Sequence, residues 1–284
     1  MQVIERVAEV RALLDAARCA GRAVGLVPTM GALHDGHASL VERAAGECEV
    51  VCATVFVNPL QFGDGEDFSA YPRDLERDAL RAEKAGATVV FAPPIDEMYP
   101  DGQHGVRTAV AVRELTERLE GAHRPGHFDG VATVVTKLFA IAGPCRAYFG
   151  EKDYQQLLVV RQLAHDLSFP VDVIGCATVR ERDGLALSSR NAYLGGEERE
   201  AAAVLSRALQ AGAAAIIAGE RSADAVRALI TGIVTAEPLA DLEYADVADP
   251  GDLTPLGRID GDVRLLIAAR VGPARLIDNL GVRT

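Results

Sequence analysis

Two rhythms of hydrophobic positions alternate along the chain as far as Cys176. Short, mainly apolar runs at 23–27, 50–57, 88–92, 146–149 and 171–176 have the length of buried strands. Between them, apolar residues recur three and four apart. Residues 3–20 read as a surface helix, with Val7, Val10, Leu13 and Leu14 on one side and Gly21 as its stop. Residues 36–45, 73–84, 128–141 and 154–167 also read as helices; 73–84 is heavily charged and 128–141 has few polar residues. Buried strands alternating with helices predict an α/β protein with a doubly wound, Rossmann-like parallel sheet covered on both faces.

After Cys176 the rhythm changes. Residues 201–219 and 222–236 read as alanine-rich helices, and 242–249, 263–269 and 274–277 as strands. Helices followed by clustered strands predict a second, smaller α+β domain. The expected division is a Rossmann-like domain over 1–177 and a C-terminal α+β domain over 178–284 that closes over the site, with 179–191 bridging the two.

Composition narrows the function classes. The chain has 284 residues, 49% hydrophobic, enough for a sizeable core. The formal net charge is -12 and no basic stripe is visible, which argues against nucleic acid as a partner. An anionic substrate therefore needs cations gathered locally. No apolar run approaches the roughly 20 residues of a membrane helix, and the first ten residues, with Glu5, Arg6 and Glu9, lack the apolar stretch of a secretory leader. The expectation is a cytoplasmic protein with no membrane partner. Five cysteines without a C-x-x-C read as reduced thiols.

The richest stretch is Val27-Pro-Thr-Met-Gly-Ala-Leu-His-Asp-Gly-His37, where the first strand gives way to a helix. Ligands bind at the carboxyl ends of strands in such sheets. Gly31 and Gly36 allow a turn and a close approach of phosphate, and the helix start offers unsatisfied N–H groups. His34 and His37, three apart, fall on one side of that start and suit phosphate oxygens. On residues alone they also read as structural histidines beside a turn, or as part of a zinc set that lacks nearby partners.

Phe149-Gly-Glu-Lys-Asp-Tyr-Gln-Gln156 again joins a strand to a helix. Gly150 permits close approach, Lys152 brings positive charge, and Asp153 either caps the helix or holds a ribose or metal. Leu187-Ser-Ser-Arg-Asn191 places two hydroxyls and an arginine in a loop, which reads as a phosphate site or as an ordinary polar turn. Phe56-Val-Asn-Pro-Leu-Gln-Phe62 sets Asn58 and Gln61, neutral hydrogen-bonding side chains, at a strand's carboxyl end, as a small-substrate site or a solvated turn. Residues 63–69, with two glycines and three acids, read as a mobile flap or as a solvated loop.

The His34-Asp-Gly-His37 form after the first strand resembles the H-x-G-H signature of the nucleotidylyltransferase superfamily, and Leu187-Ser-Ser-Arg190 resembles its downstream K-M-S-K-S-type loop. Together with Asn58-Pro-Leu-Gln61, Gly150-Glu-Lys-Asp153, Tyr71-Pro-Arg73, Arg124-Pro-Gly-His-Phe128, residues 131–139 and Leu276-Ile-Asp-Asn279, the chain resembles the pantothenate synthetase family over essentially its whole length. Leu60 and Leu187 stand where methionine is frequent in that family. The resemblance implies an AMP-forming ligase: pantoate is activated by ATP as pantoyl-adenylate, then captured by β-alanine. It implies that Met30, Gly31, Ala32, Leu33, His34, Asp35, Gly36, His37, Gly150, Glu151, Lys152, Asp153, Val179, Leu187, Ser188, Ser189 and Arg190 line ATP. His34, His37, Lys152 and Arg190 would carry the catalytic charge. Gln61 would hold pantoate and β-alanine, Gln156 pantoate, with Asn58 beside them. Mg²⁺ on the phosphates, no assigned protein metal ligand, and a homodimer complete the expectation. A nucleotidyltransferase that retains the nucleotide on its product, or an ATP-sensing module, would use the same phosphate groups differently.

Overall fold

The computed structural model describes residues 1–63 and 65–284. The flap expectation at 63–69 includes Asp64, which lies outside the described residues. Two compact units emerge, one of residues 1–151 and 155–177, the other of residues 152–154 and 178–284.

The first unit contains β1 (Gln2–Ile4), α1 (Val7–Cys19), β2 (Val24–Val27), α2 (Asp35–Ala45), β3 (Val50–Thr54), α3 (Leu75–Lys84) and β4 (Val89–Phe91). The short α4 (Ile95–Met98) and α5 (Glu120–His123) follow, then α6 (His127–Ala142), β5 (Cys145–Gly150), α7 (Tyr154–Asp166) and β6 (Val171–Cys176). All strand pairings are parallel and the order is β1-β4-β3-β2-β5-β6. The expected doubly wound sheet is what the chain forms. Right-handed crossovers put α2 and α3 on one face and α1, α6 and α7 on the other. On the first face Leu40, Val41 and Ala44 of α2 and Ala82 of α3 seal Val27, Val51, Ala53 and Val90 in one core. On the second, Phe139 of α6 packs edge-on against Phe149 and Phe169.

Two boundaries differ from the sequence reading for tertiary reasons. Residues 2–4 are not helical; Gln2 donates to Thr88 O at 3.1 Å and the segment adds an edge strand beside β4. Three residues are too few for periodicity to register. The run at 50–57 leaves the sheet after Thr54, where Val55 and Phe56 donate instead to Phe91 O and Thr29 O.

The second unit holds α8 (Gly196–Ala202), α9 (Val204–Ile217), α10 (Ala223–Thr235) and the antiparallel sheet β7 (Ala240–Ala248), β8 (Val263–Val271), β9 (Ala274–Val282). Leu205, Leu209 and Ile216 of α9 meet Val226 and Ile230 of α10 over the inward residues of β8. The expected α+β arrangement holds, but the single helix at 201–219 starts five residues earlier and breaks at Ala203. Residues 196–217 are long and apolar enough to cross a membrane by composition, yet 61% of their 18-residue apolar window is buried within the protein, as in a core helix. The last strand runs to Val282 rather than 277, because polar Asp278 and Asn279 are buried within it.

Candidate active site

The loops after β2, β3 and β5 leave one end of the parallel sheet. From β2 the chain winds one way through β3 and β4, and β5 and β6 lie on its other side. Its carboxyl end is therefore the switch point at which such sheets bind ligands.

Backbone donors shape the loop after β2. Thr29 N–H donates to Thr54 Oγ1 at 3.0 Å, and the Thr29 hydroxyl donates to Thr54 O at 2.5 Å. Gly31 takes φ +87°, and a Cβ there would lie 2.8 Å from Asp78 Oδ2. That carboxylate holds the turn: Oδ2 accepts from Ala32 N–H at 2.8 Å and Oδ1 from Leu33 N–H at 2.7 Å. Asp78, on α3, is buried, and burial pushes its carboxyl up while the two amide bonds pull it down.

α2 starts at His34. Its Nδ1 accepts from Gly36 N–H at 3.1 Å, and His37 Nδ1 accepts from His34 N–H at 3.4 Å. The rings lie 4.1 Å apart, tilted by 35°. A backbone N–H only donates, so each Nδ1 is the bare nitrogen and each neutral ring carries its proton on Nε2. Two Nε2–H donors are thereby set beside the positive end of a helix dipole, the combination that suits polyphosphate. Asp35, next to them, pairs with Arg81 of α3.

The turn after β3 is a closed polar network. Asn58 caps it, its Oδ1 accepting from Leu60 N–H at 3.3 Å, while its Nδ2 donates to Gln61 Oε1 and to Gly130 O, each at 3.1 Å. A Cβ on Gly130 would fall 2.2 Å from Leu60 O, so only glycine lets α6 approach this closely. The backbone of Gln61 is fixed from the other side. His127 Nδ1 donates to Gln61 O at 2.8 Å and His127 Nε2 accepts from Arg124 Nη1 at 3.0 Å. Arg124 in turn grips Glu66 at 2.7 and 2.6 Å. Burial, then the Arg124 charge, pulls His127 down from 6.5 to about 4. Burial opposes the charge on Glu66, but the Arg124 hydrogen bonds and charge hold it below its ordinary value.

The second unit holds its own share of the predicted set. Lys152 Nζ lies 3.3 Å from Asp153 Oδ1, and Lys152 O accepts from Asn279 Nδ2 at 2.7 Å. Tyr154 donates to Pro250 O at 2.8 Å under the Arg264 guanidinium, which explains why 152–154 group with this unit. A hairpin positions 187–190: Leu187 N–H donates to Val179 O at 3.0 Å, and Ser188 Oγ accepts from Arg190 N–H at 3.3 Å. Arg180 locks it, donating to Gly184 O at 2.9 Å and to both oxygens of buried Asp278 at 2.7 and 2.8 Å.

The pantoate-beta-alanine ligase family model matches residues 2–281. This chain belongs to that family. A pantothenate synthetase from Heliobacterium modesticaldum is 51% identical over 282 residues, covering 99% of each chain. A solved pantothenate synthetase from Thermus thermophilus superposes with a TM-score of 0.94 at 50% identity, over 100% of both chains. A pantoate-beta-alanine ligase from Francisella tularensis, solved with beta-gamma ATP and beta-alanine, has a TM-score of 0.80 at 32% identity, over 99% of this chain and 97% of that one.

Measured against this ligase family, the residues singled out from sequence divide by unit. Met30 to His37, Asn58 and Gln61 cluster at the sheet's carboxyl end, where Gln61 Nε2 lies 3.0 Å from Met30 Sδ. β5 ends there too, at Gly150, with Glu151 next. Gln156 is half-buried on α7, whereas its neighbour Gln155 is turned inward, bonded to Leu115 O and Arg118 O at 2.7 and 2.9 Å. Lys152, Asp153, Val179, Leu187, Ser188, Ser189 and Arg190 belong to the second unit. Sequence reasoning missed Asp78, Glu66, the support role of Arg180, and Tyr99, whose hydroxyl donates to Asn58 Oδ1 at 2.7 Å. Asp78 looks like one more charge on a charged helix; only the 3.6-residue face it shares with buried Ala82 marks it. Arg124 and His127 lay in a recognised stretch, but nothing local named Gln61 as their target.

Proposed function

We propose that this ligase condenses pantoate with β-alanine at the expense of ATP, through pantoyl-adenylate, releasing pyrophosphate and then AMP. The observation that carries the site assignment is the imidazole pair at the start of α2, with both Nδ1 atoms satisfied by backbone and both Nε2–H groups set as donors. In the first half-reaction a pantoate carboxylate oxygen bonds to the α-phosphorus, and the bond from that phosphorus to the bridging oxygen breaks. His34 and His37 donate hydrogen bonds to phosphate oxygens as charge moves onto the departing pyrophosphate, and Lys152 and Arg190 add positive charge. Met30 to His37, Gly150 to Asp153, Val179 and Leu187 to Arg190 line the nucleotide. In the second half-reaction the amine of β-alanine bonds to the acyl carbon, loses a proton, and AMP leaves. Gln61 contacts pantoate and β-alanine, and Gln156 contacts pantoate.

Among the described residues no three His, Cys, Asp or Glu side chains gather as a metal site. A Mg²⁺ that arrives on the phosphates needs no such cage and would supply further charge neutralisation. The proposed reading is of a cytoplasmic homodimer, for which light scattering should give about twice the 30.1 kDa of one chain.

Mixing ATP, pantoate and β-alanine should yield AMP and pantothenate in equal amounts. A stable adenylylated product with no free AMP would overturn the reading. His37→Ala should slow pyrophosphate release by roughly two to three orders of magnitude with the melting curve preserved; a near-normal rate would remove the histidines from the chemistry.

A further inference from the structure

Gln61 has an amide whose two ends are chemically opposite, and the structure fixes which end faces outward. Its Oε1 accepts from Asn58 Nδ2 at 3.1 Å. That assignment holds only if Asn58 cannot rotate its own amide. Gly130 O, which only accepts, lies 3.1 Å from Asn58 Nδ2, and Leu60 N–H, which only donates, lies 3.3 Å from Asn58 Oδ1. Tyr99 adds the shortest of these contacts: its hydroxyl donates to Asn58 Oδ1 at 2.7 Å.

Tyr99 is itself held. It is 3% exposed, its ring packs against Phe56 with centroids 6.1 Å apart, and Lys137 Nζ lies 5.6 Å over its face. Burial pushes its phenol well above the ordinary value, so the hydroxyl keeps its proton and stays a donor.

We infer that Tyr99 is a positioning residue whose hydroxyl, acting through Asn58, locks the Gln61 amide with its N–H group turned toward the substrate. Gln61 then recognises an acceptor oxygen, the kind a hydroxy-acid carboxylate or hydroxyl offers. Met30 Sδ, 3.0 Å from Gln61 Nε2, is a weak acceptor that an incoming oxygen displaces. This inference rests on the proposed contact between Gln61 and pantoate and adds the polarity of that contact together with the residue that sets it.

The test is a double-mutant cycle read on pantoate binding. Tyr99→Phe keeps the ring and removes one oxygen; it should weaken pantoate about three- to tenfold, the range of one neutral hydrogen bond, and leave ATP binding within about twofold. In a Gln61→Ala background the same substitution should change pantoate affinity less than about twofold, because the relay has lost its last member. Equal effects in both backgrounds, or parallel losses of ATP and pantoate, would assign Tyr99 a general packing role and overturn the relay. Asn58→Ser, which leaves a rotatable hydroxyl without fixed polarity, should reproduce the pattern of Tyr99→Phe and provides the readout if that variant fails to fold. Wild-type pantoate affinity in Gln61→Ala would sink the parent assignment and the relay together. Impaired Gln61→Ala beside an unaffected Tyr99→Phe would sink the relay alone.

Discussion

Asp78 touches no reacting atom in the proposed chemistry, yet two backbone amides of the loop after β2 depend on it. Asp78→Ala would leave the Ala32 and Leu33 N–H groups without their acceptor. Each unsatisfied buried amide costs about 1–3 kcal/mol, so the folded state should survive but the turn should loosen. The expected outcome is a lower melting temperature and at least tenfold slower pyrophosphate release; an unchanged rate would show that the turn holds without its clamp. His34 and His37 illustrate what a motif tells and what it omits. Their spacing pointed to a shared side of a helix start. The capping bonds that leave both protons on Nε2 depend on backbone angles that no tetrapeptide specifies.

At the scale of elements, the contact between α6 and the 58–61 turn is the tightest constraint around Gln61. Gly130→Ala puts a methyl 2.2 Å from Leu60 O and 2.4 Å from Leu60 C, a clash that neither backbone relieves by rotating a side chain. Overpacking of this kind costs typically about 1–3 kcal/mol. Gly130→Ala should therefore lower the denaturant midpoint and weaken pantoate more than ATP; equal weakening of both ligands would mean that the shift is not confined to this turn. In the second unit, Arg180 and Asp278 tie the 180–186 hairpin to β9. Arg180→Met leaves a carboxylate only 2% exposed without its partner, and a loss of about 3–5 kcal/mol in a chemical denaturation curve is expected.

For the molecule as a whole, His127 links stability to pH. Its folded value, about 4, lies below the ordinary 6.5, so the unfolded chain binds the proton first. The stabilisation is fully present above pH 6.5 and is lost as pH falls toward 4. The difference corresponds to about 3 kcal/mol. The melting temperature should decline across that window, and His127→Gln should flatten the decline; the same slope in the variant would assign it to other groups. The sequence alone determined the alternation of buried strands and amphipathic helices, the change of architecture near residue 177, and the stretches to which the proposed chemistry is given. Those are properties of local period, turn chemistry and short spacings, and each is written within a few neighbouring residues. The tertiary structure alone decided that residues 2–4 join the sheet, that Asp78 reaches back 45 residues to hold a loop, and that Tyr99, Asn58 and Gln61 share one chain of hydrogen bonds. Such pairings join residues far apart along the chain, and burial removes the water that would otherwise satisfy them. Their partners exist only once the elements have packed.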